Sequence, residues 1–178
     1  MTEEQIQSSK TVNRRSLPKW SLLILVIFLA TSGFLAWRFW PRPLISPAEK
    51  QKISFLIFVP SSPYQVVRKT VAYDSQKKIL TYQAKDSTGS SVFVVTEQTE
   101  PDLLSLGGQD FYNKFVGALG DYDDIDTAAG PVSLTRPSKL GSQTAVLVAQ
   151  NTLVFVRPNH NLDENDWQGF FNTMQTYH

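Results

Sequence analysis

Residues 144–174 have the sequence TAVLVAQNTLVFVRPNHNLDENDWQGFFNTM, which contains two apolar runs of strand length and then an amphipathic helix. The runs 144–149 and 153–156 flank a QNT turn, a pattern typical of an antiparallel hairpin. Asp163 is placed to cap the helix, and Leu162 before it is placed to pack on the fourth helical residue. The apolar stripe of this helix has i, i+3, i+4 and i+7 spacing and consists of Trp167, Phe170, Phe171 and Met174. Two strands followed by a helix with one apolar face predict an α+β fold.

The segments before this stretch predict more strands. The run ISFLIFV at 53–59 is apolar throughout, which indicates a central strand. Turn residues at 86–90 separate two alternating runs and predict another hairpin. The remaining predicted strands are 66–73, 79–84, 92–97, 122–127 and 132–136. Because neighbours in sequence usually pair, we expect a strand meander.

One further helix is predicted between the strands. Residues 109–119 place Phe111, Phe115 and Leu119 on one stripe, and Gly120 provides an end. The expected fold class is therefore α+β, with a mainly antiparallel sheet packed by two amphipathic helices after an N-terminal transmembrane helix.

The transmembrane helix is predicted at residues 20–40, WSLLILVIFLATSGFLAWRFW. A helix of this length spans roughly 30 Å, which matches the hydrocarbon core of a bilayer. Trp20 at one end, and Trp37 and Trp40 at the other, fall where indole rings favour the headgroup boundary. Arg38 lies close enough to the end to extend its charge outward. These four residues are the predicted membrane anchor, and the lipid bilayer is the predicted partner.

The anchor divides the chain into a disordered basic tail (1–19), a Pro-rich linker with a short helical turn (41–52) and a domain (53–178). Basic residues flank the span on both sides, but the tail is the shorter flank and its basic residues are clustered. This favours a single-pass signal-anchor in the cell membrane, with a cytoplasmic N-terminus and an extracytoplasmic domain. A cleaved signal peptide is the alternative, since small residues follow the apolar run at Ala30. The oligomeric state stays open.

Composition excludes several kinds of chemistry. The 178-residue chain has no cysteine, so disulfides, thiolate nucleophiles and cysteine-based metal sites are excluded. From Pro41 onward there are 12 basic and 14 acidic side chains, a balance that provides no broad cationic surface for phosphates. Nucleic acid is therefore not expected as a partner.

No motif assigns a catalytic, metal-binding or cofactor-binding residue. The acidic segment GDYDDID at 120–126 suggests calcium, but Asp126 stands where an EF-hand loop needs glycine, and a charged edge strand is preferred. His160 and His178 do not form a zinc pair, and the polar residues beside His160 fit a helix start. The aromatic residues are interpreted as core, with a groove for an apolar ligand or peptide as the alternative.

The order of a basic tail, one anchor, a first strand ending in ISFLIFVPSSPY, hairpins, and a last strand LVFVRP before an amphipathic helix resembles small bacterial membrane-tethered extracytoplasmic domains. Some of these accompany anti-sigma factors or lipoprotein-carrier-like sensors. The resemblance covers residues 53–178 and implies a binding or sensing role, with an envelope protein or peptide as ligand. An envelope hydrolase and a structural spacer in a membrane complex are the alternatives, and a non-enzymatic role is favoured.

Overall fold

The computed structural model describes residues 43–137 and 143–177. Within them the chain has an α+β fold with a mainly antiparallel sheet and few helices, which confirms that part of the predicted fold class. The elements in chain order are α1 (Pro47–Lys50), β1 (Phe58–Pro60), β2 (Gln65–Val66), a 3₁₀ turn (Arg68–Thr70), β3 (Ala72–Asp74), β4 (Ile79–Lys85), β5 (Val92–Thr99), α2 (Asp102–Gly117), β6 (Tyr122–Thr127), β7 (Gly130–Thr135), β8 (Ala145–Ala149), β9 (Thr152–Pro158), α3 (Glu164–Phe171) and β10 (Met174–Thr176).

The predicted tail and transmembrane helix, with Trp20, Trp37, Arg38 and Trp40, lie outside the described residues. Among the helices that the structure describes, none is long and apolar enough to cross a membrane. The helical turn predicted in the linker is α1, which Ser46 caps by accepting a hydrogen bond from the Glu49 amide.

Eight strands form one large sheet in the spatial order β2, β4, β5, β9, β8, β7, β6, with β3 also paired to β4. Every pair is antiparallel. The predicted meander is correct within β3–β5 and within β6–β9, but wrong between them, because β5 lies beside β9 and not beside β6. The chain therefore crosses from β5 to the far edge at β6, and α2 forms this crossover.

The two predicted hairpins, β4–β5 and β8–β9, are confirmed. Gln150 and Asn151 have φ of 50° and 62°, as a two-residue hairpin turn requires. Thr152 is not part of this turn, since it is the first residue of β9 and is buried.

Helix α3 packs on one face of the large sheet, here called the inner face. Asp163 caps it by accepting a hydrogen bond from the Asp166 amide at 2.9 Å, as predicted. Trp167, Phe170 and Phe171 are fully buried among inner-face residues such as Phe93. Burial of side chains of this size contributes about 1.5–3 kcal/mol each.

Helix α2 packs on the opposite face, here called the outer face. Its buried residues Leu104 and Val116 contact Val146 of β8 and Leu153 of β9 in a second, smaller core. The helix begins seven residues before the predicted start at 109, and Leu119 lies beyond its end and is 44 % exposed. The predicted stripe is confirmed for Phe111 and Phe115, which pack against this smaller core, but it is wrong for Leu119.

The prediction for residues 53–59 is wrong. Only Phe58–Pro60 is strand, and it pairs with β10 in a separate two-stranded sheet. The apolar run is nevertheless buried, since Phe55, Ile57 and Phe58 belong to the inner-face core. An apolar run indicates burial on all sides, but it does not say which partner supplies the hydrogen bonds. The predicted strand 66–73 is also broken, because the 3₁₀ turn separates β2 from β3.

Candidate functional site

A cleft of about 350 Å³ opens on the outer face between α2 and the strands β6, β7 and β8. We call it the α2 cleft. Residues from α2, from the three strands and from the connection between β5 and α2 line it: Glu100, Leu104, Gly108, Gln109, Tyr112, Asp124, Pro131, Ser133 and Val148. Among these lining residues none is a lysine, arginine or histidine.

A break in α2 shapes the wall of the cleft that this helix forms. Gly108 has φ 61° and ψ −162°, a conformation outside the helical region that is essentially restricted to glycine. At Gly107 an added Cβ would lie 2.5 Å from the Cβ of Phe111, so a side chain is excluded there for steric reasons. The two consecutive glycines therefore set the helix direction beside the cleft.

A chain of hydrogen bonds crosses the floor of the cleft. The Ser133 hydroxyl donates to Asp124 Oδ1 at 2.5 Å, and the Tyr112 hydroxyl lies 2.9 Å from Ser133 Oγ. Since a carboxylate only accepts, the single proton of Ser133 is used on Asp124. Tyr112 therefore donates to Ser133, and the chain runs from the tyrosine to the carboxylate.

The protonation of Tyr112 supports this direction. Burial raises the pKa of its hydroxyl, and the negative charge of Asp124 adds to the rise. The hydroxyl is thus neutral around pH 7 and keeps the proton that it donates to Ser133.

The groups that remain available in the cleft are mainly acceptors. Asp124 keeps acceptor capacity beyond the bond from Ser133, and Glu100 adds a second carboxylate. Gln109 Nε2 donates to Asn113 Oδ1 at 2.8 Å, which leaves the Gln109 carbonyl oxygen as an acceptor. An acceptor-rich cleft is complementary to a group with several donors, such as an ammonium or guanidinium ion.

Helix α2, which forms one wall of the α2 cleft, also carries exposed apolar side chains. Leu103 and Leu106 on α2 are 67 % and 86 % exposed. Half of the 14 acidic side chains after Pro41 lie in residues 100–127, where Lys114 is the single basic residue. Residues 100–127, which include α2 and β6, are therefore net negative, and α2 carries exposed leucines.

The structure separates the acidic residues that the sequence groups together. Asp123 pairs with Arg136 at 2.7 Å, with both side chains more than half exposed, and this ion pair lowers the pKa of Asp123. Asp124 lies in the α2 cleft. The preferred interpretation as a charged edge strand is confirmed, because β6 is the last strand of the large sheet. In residues 43–137 and 143–177, no three His, Asp or Glu side chains are placed to hold a metal ion.

The sequence alone does not predict the α2 cleft. It places Tyr112 on the flank of a helix, and it singles out neither Glu100 nor Ser133. The one local signal is Ser133 itself, a polar residue inside the apolar run of β7 that is only 1 % exposed. A buried serine needs a polar partner, but the sequence does not say that α2 and β6 provide it.

The resemblance to bacterial membrane-tethered domains remains a prediction from the sequence layout. Comparison of the chain with protein-family models, with curated protein sequences and with solved structures found no match.

Proposed function

We propose that this chain is a single-pass membrane protein whose extracytoplasmic domain binds a segment of an envelope protein or peptide. Residues 20–40 anchor the chain in the bilayer, with Trp20, Trp37, Arg38 and Trp40 at its boundaries. The bound segment places a lysine or arginine side chain in the α2 cleft. The acceptor-rich cleft is the observation that carries this proposal.

The charge of the ligand follows from the lining. Glu100 and Asp124 both line the cleft, and the lining holds no compensating cation. A ligand amine or guanidinium would form charge-assisted hydrogen bonds there, which are about twice as strong as neutral ones.

The peptide nature of the ligand follows from the apolar surroundings. Leu104, Pro131 and Val148 line the cleft, so the methylene stem of a lysine or arginine would have apolar walls to contact. Leu103 and Leu106 are exposed on the same helix and would contact apolar residues beside the charged one.

A binding role is better supported than the two alternatives. A hydrolase that uses carboxylates needs one with a perturbed pKa in an accessible cleft. Glu97, whose pKa burial raises to about 8, is fully buried and does not line the α2 cleft. Ser133 is also buried, and its hydroxyl is engaged on both sides. A pure spacer would need neither the cleft nor the exposed leucines.

The binding proposal is tested in native membranes with a photo-crosslinking amino acid at position 106 of the full-length chain. We expect a cross-linked partner whose yield falls at least tenfold in the double variant Glu100→Gln, Asp124→Asn. Asp126→Asn is the matched control, since Asp126 is exposed on the same strand but does not line the cleft. Equal yields in the double variant and the control would contradict the proposed ligand chemistry.

The anchor is tested separately by fractionation of broken cells. The full-length chain is expected in the membrane pellet and resistant to extraction by high salt and carbonate. A chain with an intact N-terminus in the aqueous fraction would refute the anchor but leave the α2 cleft untouched. Proximity labelling with a variant that lacks residues 53–178 shows which neighbours depend on the domain.

A further inference from the structure

The segment that enters the domain is held to the large sheet by side chains and not by strand pairing. Strand β1 pairs with β10 along one edge, where the Tyr177 amide donates to the Ile57 carbonyl at 2.8 Å. The main-chain groups of Phe58 face the other way, because successive residues of a strand direct these groups to opposite edges. They meet Glu97 of β5 and Tyr82 of β4.

Three groups form this contact, here called the Glu97 latch. The Phe58 amide donates to both carboxyl oxygens of Glu97 at 3.2 Å. The Tyr82 hydroxyl donates to the Phe58 carbonyl at 2.5 Å and lies 3.2 Å from Glu97 Oε1. The latch is a side-chain link between the β1–β10 pair and the centre of the large sheet, and Thr152 of β9, whose hydroxyl donates to the Leu56 carbonyl at 2.9 Å, holds the segment just before β1.

Counting protons indicates the state of the carboxyl. Tyr82 has one proton, and its short contact with the Phe58 carbonyl uses that proton. A carboxylate at Glu97 would then face the lone pairs of the Tyr82 oxygen across 3.2 Å without a hydrogen between them. A protonated carboxyl donates to Tyr82 and accepts from the Phe58 amide, so the three groups form a closed ring in which every donor has an acceptor.

The surroundings also favour a neutral carboxyl. Glu97 is 0 % exposed, and its cross-strand neighbours are Leu80 on β4 and Val154 on β9. Strand β1 contributes the main chain of Phe58, and β4 contributes Tyr82 as the titratable side chain in contact with Glu97. Burial and the neighbouring Glu97 raise the pKa of Tyr82 well above its usual value, so the tyrosine does not titrate in the neutral range.

We propose that the Glu97 latch is a pH-sensitive conformational device: its protonated carboxyl holds the β1–β10 pair on the large sheet, and loss of the proton releases that pair. Burial raises the pKa of Glu97 to about 8 in the closed state, while the hydrogen bond from the Phe58 amide acts in the opposite direction. In an open state the exposed carboxyl has an ordinary pKa of about 4.3. The bound proton therefore contributes its full stabilisation of the closed state below about pH 4.3, and this stabilisation is lost as the pH rises through about 8.

The expected size of the effect follows from the same linkage. Between the open and closed pKa values, one proton is bound in the closed state only. The equilibrium between open and closed forms then shifts toward the open form by about tenfold for each pH unit. Because β1 follows directly on the segment that leads from the predicted anchor, release would free both ends of the domain from its core.

The test is hydrogen exchange measured by mass spectrometry on the full-length chain in lipid nanodiscs at pH 6, 7, 8 and 9. After correction for the intrinsic exchange rate, the protection factors of peptides covering 53–61 and 172–177 are expected to fall at least tenfold between pH 6 and pH 8. The peptide covering β5, 92–99, is expected to keep its protection, since it reports on the large sheet.

The matched control is Glu97→Gln. Its amide accepts from Phe58 and donates to Tyr82 like the protonated acid, but it does not titrate. Constant protection in this variant supports the latch. The proposal is overturned if the wild-type peptides keep constant protection, if Glu97→Gln shows the same fall, or if 92–99 loses protection in parallel.

A second measurement is independent of the variant. The ¹³C chemical shift of the Glu97 carboxyl in the wild-type chain reports its titration directly. A midpoint above pH 7 supports the latch, whereas a midpoint near pH 4–5 overturns it.

Discussion

The indole Nε1–H of Trp167 donates to Oε1 of Gln143 at 3.1 Å, and the same oxygen accepts the main-chain N–H of Leu162 at 2.9 Å. Trp167 is fully buried and Gln143 is only 8 % exposed. One amide oxygen of Gln143, just before β8, therefore holds both the residue that precedes the cap of α3 and the Trp167 side chain of that helix.

Replacement of Gln143 by Leu is expected to lower the free energy of unfolding by about 2–4 kcal/mol. Two buried donors would lose their acceptor, and an unsatisfied buried donor costs about 1–3 kcal/mol. The measurement is urea unfolding of the full-length chain followed by far-ultraviolet circular dichroism. The donor of Leu162 is its main-chain N–H, which no side-chain substitution removes, so the control is Trp167→Phe, which removes the other donor. The Gln143→Leu, Trp167→Phe double variant should lose less stability than the two single variants added together. Strict additivity would show that the shared oxygen does not couple the two donors.

The aromatic core predicts a large effect at one position of α3. The rings of Phe93 and Phe170 are stacked with centroids 4.1 Å apart, and both side chains are buried. Phe170→Ala is expected to destabilise the domain by about 3–5 kcal/mol, because it removes buried area and leaves a cavity. Leu106→Ala is the matched control, since Leu106 is 86 % exposed and its loss should leave the urea midpoint nearly unchanged. Equal midpoints for the two variants would contradict the placement of Phe170 in the core.

Local signals in the sequence predict the elements that local interactions stabilise. Asp163 caps α3 as expected, and the alternating residues of β4 face the side that their pattern indicates. The prediction for the run 53–59 fails because its hydrogen bonds go to β10, near the other end of the chain, and to side chains of the large sheet. The α2 cleft could not be predicted for the same reason, since Tyr112 and Ser133 meet only after the crossover has carried α2 over the sheet.

The glycines of α2 give a prediction with an internal control. Gly108→Ala is expected to cost about 1–3 kcal/mol, because its backbone lies in a region that residues with a Cβ rarely adopt. Gly107→Ala should also destabilise, through the steric conflict with Phe111. Gly117 has helical geometry and open space where an added Cβ would lie, so Gly117→Ala should be neutral or stabilise by up to about 1 kcal/mol. Thermal unfolding of the three variants checks the order, and a neutral Gly108→Ala would show that the break does not need glycine.

The hydrogen bonds of Asp86 predict a loss of stability in acid, which is a separate effect from the opening of the Glu97 latch at higher pH. Desolvation raises the pKa of this carboxyl, but hydrogen bonds from Ser90, Thr88 and the Ser91 amide outweigh it and lower the pKa to about 2. In the unfolded chain the pKa is about 3.9. The folded state therefore binds this proton less readily than the unfolded state, so the stabilisation is complete above about pH 4 and is lost as the pH falls through about 2. Asp86→Asn keeps one acceptor oxygen but no charge, so the urea midpoints of the wild type and the variant should differ at pH 6 and converge toward pH 2. A constant difference across that range would show that the charge of Asp86 does not stabilise the turn between β4 and β5.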